Sequence, residues 1–169
     1  LPDDIDELYD ILYAAKKYLL PQLASASASQ LINHMTPQNV LFQLNKSSAI
    51  DEEELTRICW RTIDLMTSEV LASEPFVDLS KETVLELISR DTLCCEEWEI
   101  FEAVHRWASA ECDRRGLRPT SAIVTDLMAD FLPFIRFTTM SLGDFVLHVA
   151  KSGVLSLELV RPASLNLRM

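Results

Sequence analysis

Apolar residues recur along most of the chain at spacings of three and four, which is the repeat of an amphipathic α-helix. The first such stripe lies between Asp4 and Leu20. Its members are Ile5, Leu8, Ile11, Leu12, Ala15 and Leu19. Pro21 then suits the first turn of a second helix, because proline lacks the N–H that has no partner there. The pattern predicts that this second helix continues to about His34.

Capping residues mark the other predicted helices. Thr36 followed by Pro37 opens a short helix, and the acidic run 51–54 favours the start of a long one through the helix dipole. Gly116 ends a helix that begins near Cys95. The remaining predicted helices begin at Ser80, span Thr120–Leu132 and Ser141–Ala150, and follow Ser156. We therefore predict an all-α fold, a stack of antiparallel helix pairs with about eight or nine helices and no strand.

Composition and charge narrow the function classes. A length of 169 residues suits a single domain. The formal charge of −11 repels nucleic acid and anionic membranes, because both are polyanions. Only three glycines occur, which argues against a glycine-rich phosphate loop. No apolar run reaches the roughly 18 residues of a membrane span. We expect neither a nucleic-acid nor a membrane partner.

The cysteines and histidines show no spacing typical of a metal site, so we expect no metal and no cofactor. Cys94 and Cys95 lie beside Glu96 and Glu97, whose negative charge disfavours a thiolate. We predict no catalytic residue and no enzyme. An oxidoreductase or a cysteine hydrolase is the enzymatic alternative, and a hyper-reactive thiol would support it. Reduced thiols indicate the cytoplasm, with the nucleus as an alternative compartment.

Several segments, in order along the chain, resemble landmarks of the BTB-BACK proteins. Residues 12–24 (LYAAKKYLLPQLA) resemble the junction at which a BTB domain passes into a BACK domain. The other similar segments are 73–76 (SEPF), 85–93 (LELISRDTL), 101–107 (FEAVHRW), 135–141 (IRFTTMS) and 152–155 (SGVL). The resemblance is closest to the branch that carries a PHR domain. Thr138 departs from the family's usual proline, and Cys94 and Cys95 stand where a polar helix start is usual.

The resemblance implies a division of the chain. Residues 1–20 would form the helix at the BTB-BACK junction, and residues 21–169 would form the BACK domain. Within it, residues 21–45 would be the helix pair called the three-box. A start at Leu1 fits a piece of a longer polypeptide. The apolar face of residues 1–20 would then lie against the absent BTB domain.

The resemblance also implies a function. Proteins of this family are substrate adaptors for cullin-3 ubiquitin ligases, in which the BTB domain dimerises and grips the cullin. The expected partners are cullin-3, the chain's own BTB domain and an unidentified substrate protein. Through the BTB domain the protein is also expected to form a homodimer. The three-box residues expected to contact cullin-3 are Asn33, His34, Met35, Gln38, Asn39 and Phe42. The alternative is a passive spacer between the BTB domain and a substrate-binding domain, with no contact to the cullin.

Overall fold

The computed structural model describes residues 1–154 of the chain. The regular elements in that part are all helical and include nine α-helices. They are α1 (Ile5–Lys17), α2 (Pro21–Asn33), α3 (Val40–Ala49), α4 (Glu53–Leu65), α5 (Thr67–Ala72), α6 (Lys81–Ile88), α7 (Glu97–Arg114), α8 (Ser121–Met128) and α9 (Leu142–Asp144). The predicted all-α fold is confirmed. The helix predicted after Ser156 lies outside the described residues.

The chain divides into two compact units. Unit 1 contains Leu1–Phe76 and Thr92–Cys94, and therefore α1 to α5. Unit 2 contains Val77–Asp91 and the described residues from Cys95 onward, and therefore α6 to α9. The chain thus passes from unit 1 to unit 2, returns briefly, and leaves again.

Helix α1 is built as its sequence pattern predicts. The Asp4 carboxylate accepts the Glu7 backbone N–H at 2.9 Å, which caps the helix start. Leu8, Tyr9 and Leu12 form a buried cluster with Leu31 of α2 and Leu55 of α4. The expectation that this apolar face lies against an absent domain is therefore wrong for Leu8 and Leu12, because α2 and α4 cover them within unit 1. Leu19, the last member of the predicted stripe, is exposed, as are Tyr13 and Tyr18.

Helix α3 begins later than its capping residues predict. Thr36 and Pro37 lie in a turn, and the helix starts at Val40. The reason is local, since the Asn39 side-chain oxygen accepts the Thr36 backbone N–H at 2.9 Å and closes that turn. Within unit 1, α2 packs chiefly against α1, and α3 packs chiefly against α4.

Unit 2 is organised around the long helix α7. The buried side chains of Phe101, Val104 and Trp107 follow one face of this helix. The Trp107 indole N–H donates to the Leu79 carbonyl at 2.8 Å, so the ring is fixed in the core. Gly116, with φ of +66°, follows the end of α7 as predicted.

The last described part of unit 2 is less regular than a single helix. Residues 141–150 were predicted as one helix, but α9 passes into a π-helical segment, Phe145–Val149, and then a 3₁₀ turn, Ala150–Ser152. The other 3₁₀ turns are Glu74–Asp78, Leu132–Phe134 and Phe137–Thr139. None of the described helices is both long enough and apolar enough to cross a membrane.

Candidate partner-binding site

The six residues predicted to bind a partner lie together in unit 1. They occupy the end of α2, the connecting turn and the first part of α3. Asn33, Gln38 and Phe42 are exposed, whereas His34, Met35 and Asn39 are half-buried. A partner can therefore contact the three exposed side chains directly, whereas the three half-buried ones are partly covered by the rest of unit 1.

Asn39 is used internally by the turn. Its side-chain oxygen accepts the Thr36 backbone N–H at 2.9 Å and the Gln43 side-chain N–H at 3.2 Å. Its side-chain nitrogen donates to the His34 carbonyl at 2.8 Å. Both ends of the amide are thus engaged, so Asn39 shapes residues 34–39 from within.

Met35 ties the same turn to α4. Its sulfur accepts a hydrogen bond from the Thr62 hydroxyl at 3.2 Å. Its side chain also packs against the buried cluster that includes Leu31 and Leu55. Met35 therefore anchors the turn to the core of unit 1 instead of projecting from it.

Phe42 is the aromatic residue that this segment presents to solvent. Its side chain is 38% exposed, although it follows the buried Val40 and Leu41 on α3. The Lys46 ammonium lies 5.3 Å from the centre of the Phe42 ring and pairs with Asp6 at 2.6 Å. The hydrogen bond to Asp6 raises the pKa of Lys46, which favours its charged form over the ring.

Tyr9 and Gln43 belong to the site's support but were not predicted. Gln43 is fully buried, and its backbone carbonyl accepts the Tyr9 hydroxyl at 2.9 Å. Burial raises the pKa of Tyr9 and keeps this hydroxyl as a donor. The signal available in the sequence was the spacing of Asn39 and Gln43, because residues four apart face each other on a helix.

The described cysteine thiols differ in their burial. Burial raises the pKa of Cys59 to about 11, which disfavours a thiolate. Cys112 is also buried, whereas Cys94 is exposed. Within residues 1–154, no three His, Cys, Asp or Glu side chains are placed so that they could hold a metal ion.

Arg136 is a charged residue of unit 2 whose side chain pairs with carboxylates. Its guanidinium pairs with Asp91 and lies 3.7 Å from Glu97, both in unit 2. Its backbone N–H also donates to the Glu97 carboxylate at 3.0 Å. These contacts account for the residue without a ligand.

Comparison with known proteins agrees with the fold. The family model of the BACK domain (BTB And C-terminal Kelch) matches residues 40–150. Human BTB/POZ domain-containing protein 6 is 36% identical over 155 residues, which cover 92% of this chain and 29% of that protein. Human BTB/POZ domain-containing protein 3 is 37% identical over 160 residues, which cover 92% of this chain and 31% of that protein. Zebrafish BTB/POZ domain-containing protein 6-B is 37% identical over 155 residues, with 92% and 32% covered.

These matches define a helical domain of the BTB class of proteins. The chain belongs to the BACK domain family, and the recognition of a BTB-BACK protein from its sequence is confirmed. The chain spans between 29% and 32% of the length of these relatives. The assignment to the branch with a PHR domain stays a prediction.

Proposed function

We propose that this chain is the interaction domain of a substrate adaptor for a cullin-3 ubiquitin ligase, and that unit 1 contacts the cullin. The proposed contact is the turn surface, which we define as Asn33, His34, Gln38 and Phe42. The observation that carries this proposal is an exposed aromatic ring beside exposed polar groups, on a turn that is held from within.

Rigidity is what makes the turn surface suited to binding. A partner that docks on a preformed turn does not have to order it, so less binding energy is lost to conformational entropy. Aromatic side chains also contribute strongly at interfaces, because they bury a large area with few rotatable bonds. Met35 and Asn39 would contribute by supporting this surface rather than by contacting the partner.

The rest of the proposal concerns the longer protein. Residues 1–20 would end the BTB domain, residues 21–45 would be the three-box, and the BACK domain would continue to residue 169. Unit 2 would help to position a domain that carries an unidentified substrate protein. The BTB domain would provide homodimerisation, and the protein would act in the cytoplasm or the nucleus.

The experiment is calorimetric titration of the cullin-3 N-terminal domain into the full-length protein and two variants. Phe42→Ala removes the exposed ring of the turn surface. Phe134→Ala is the matched control, because Phe134 is 42% exposed and lies in unit 2, whereas Phe42 is 38% exposed. We expect Phe42→Ala to weaken binding about tenfold, or about 1.4 kcal/mol, and Phe134→Ala to leave it unchanged.

Two results would contradict parts of the proposal. If Phe42→Ala leaves the affinity for cullin-3 unchanged, the adaptor role stands, but the turn surface is not the contact. No binding by the unchanged full-length protein would contradict the adaptor role and favour the spacer, in which the helices only separate the two neighbouring domains.

A further inference from the structure

Gln43 is a polar residue in the core of unit 1 with an unpaired side-chain oxygen. Its side chain is fully buried, with 0% of its surface exposed. Its side-chain oxygen has no hydrogen-bond partner among the described residues. A buried acceptor without a partner opposes folding, because it gives up its bonds to water and gains none. An apolar side chain of the same length would avoid that cost.

The other half of the Gln43 amide has a defined task. Its N–H donates to the Asn39 side-chain oxygen at 3.2 Å. That oxygen is also the acceptor for the Thr36 backbone N–H. A second donor on the same oxygen reinforces the orientation in which the Asn39 oxygen faces Thr36 and its nitrogen faces the His34 carbonyl.

Gln43 is itself held from two sides. Its backbone N–H donates to the Asn39 carbonyl at 2.9 Å. Its backbone carbonyl accepts the hydroxyl of the buried Tyr9 from α1 at 2.9 Å. The donor that orients Asn39 is therefore placed by both α1 and α3. A continuous set of hydrogen bonds runs from the core of unit 1 to the turn.

We propose that Gln43 is a positioning residue, which holds Asn39 and through it the turn surface in the conformation that binds the partner. This inference rests on the proposed function for its binding consequence. Its structural part, the control of the turn by Gln43, stands on the contacts alone. In this role the Gln43 amide orients Asn39 in the turn, while its unpaired oxygen lowers the stability of unit 1.

The test uses Gln43→Met, which keeps the length of the side chain and removes both amide atoms. Gln22→Met, at an exposed position on α2, is the matched control. We expect the variant to unfold at the same temperature as the unchanged protein or higher, because the unpaired oxygen is gone. We expect the Thr36 amide proton to exchange about tenfold faster, because Asn39 is released. We expect the affinity for the cullin-3 N-terminal domain to fall about fivefold.

A loss of affinity without a loss of thermal stability distinguishes this proposal from a purely structural role of Gln43. A variant that loses stability and affinity together would overturn it, as would unchanged exchange at Thr36. If the unchanged full-length protein does not bind cullin-3, the proposed function fails, and the exchange measurement still decides whether Gln43 controls the turn.

A measurement on the unchanged protein does not depend on the folding of any variant. In solution NMR, the Gln43 side-chain N–H protons should exchange slowly, because one of them is bonded to Asn39 in a buried position. Rapid exchange of both protons would overturn the proposal.

Discussion

The sequence predicts the burial of some side chains but not the hydrogen-bond partners of others. Trp107 shares a helical stripe with Phe101 and Val104, so its burial follows from spacing alone. Asn39 and Met35 were predicted as contact residues, yet their side chains are engaged by Gln43 and Thr62. Neither partner is apparent without the packing of helices, because Thr62 lies far along the chain and Gln43 resembles any polar helical residue.

His105 provides a prediction at the residue scale. Burial in α7 lowers its pKa, and the nearby Glu102 carboxylate opposes this only in part. The folded state therefore favours the neutral ring, and the unfolded state binds the proton more readily. The contribution of His105 to the free energy of unfolding is fully present above the pKa of the unfolded state, about 6.5. It is lost as the pH falls toward the lower pKa that His105 has in the folded state.

We expect His105→Gln to remove part of the loss of stability seen when the pH is lowered from about 7.5 to 5.5. Denaturant unfolding at a series of pH values measures the difference between the two proteins. The comparison cancels the pH dependence that the two proteins share. Parallel stability curves for the two proteins would contradict the assignment.

At the scale of elements, the sequence predicts the existence of helices better than their ends. The stripe of α1 and the glycine after α7 lead to correct elements. The start of α3 is displaced because the Asn39 side chain accepts the Thr36 backbone N–H and closes a turn where the sequence predicts the first helical turn. The helix predicted over 141–150 is divided into α9 and a π-helical segment, Phe145–Val149, which contacts α7.

Met35 provides a prediction at this scale, because it joins the turn to α4. Met35→Ala should lower the free energy of unfolding by about 1–3 kcal/mol, since it leaves a gap beside the buried cluster and removes the sulfur that contacts the Thr62 hydroxyl. Leu65→Ala is the control on the same helix as Thr62, because Leu65 is 64% exposed. It should change stability by no more than about 0.5 kcal/mol.

Chemical denaturation of both variants measures these effects. If Met35→Ala were as stable as the unchanged protein, Met35 would not be an anchor and would return to the set of residues that can face a partner. The turn would then lose the contact that Met35 makes with Thr62 of α4.

For the whole molecule, the proposed contact belongs to a single unit. The turn surface lies entirely in unit 1, together with the residues that support it. Unit 2 contains its own core around α7 and its own ion pairs, such as those of Arg136. The family match spans parts of both units, from residue 40 to residue 150. Family membership therefore supports the fold of both units, whereas the proposed contact with cullin-3 depends on residues 33–42.

The most direct test of that contact is hydrogen–deuterium exchange of the full-length protein, with and without the cullin-3 N-terminal domain. Peptides that cover residues 33–42 should exchange more slowly when the cullin is present, because docking on the turn surface excludes solvent. Peptides from α7 in unit 2 serve as the internal reference and should be unchanged. Protection confined to other segments, with residues 33–42 exchanging at the same rate in both states, would contradict the account.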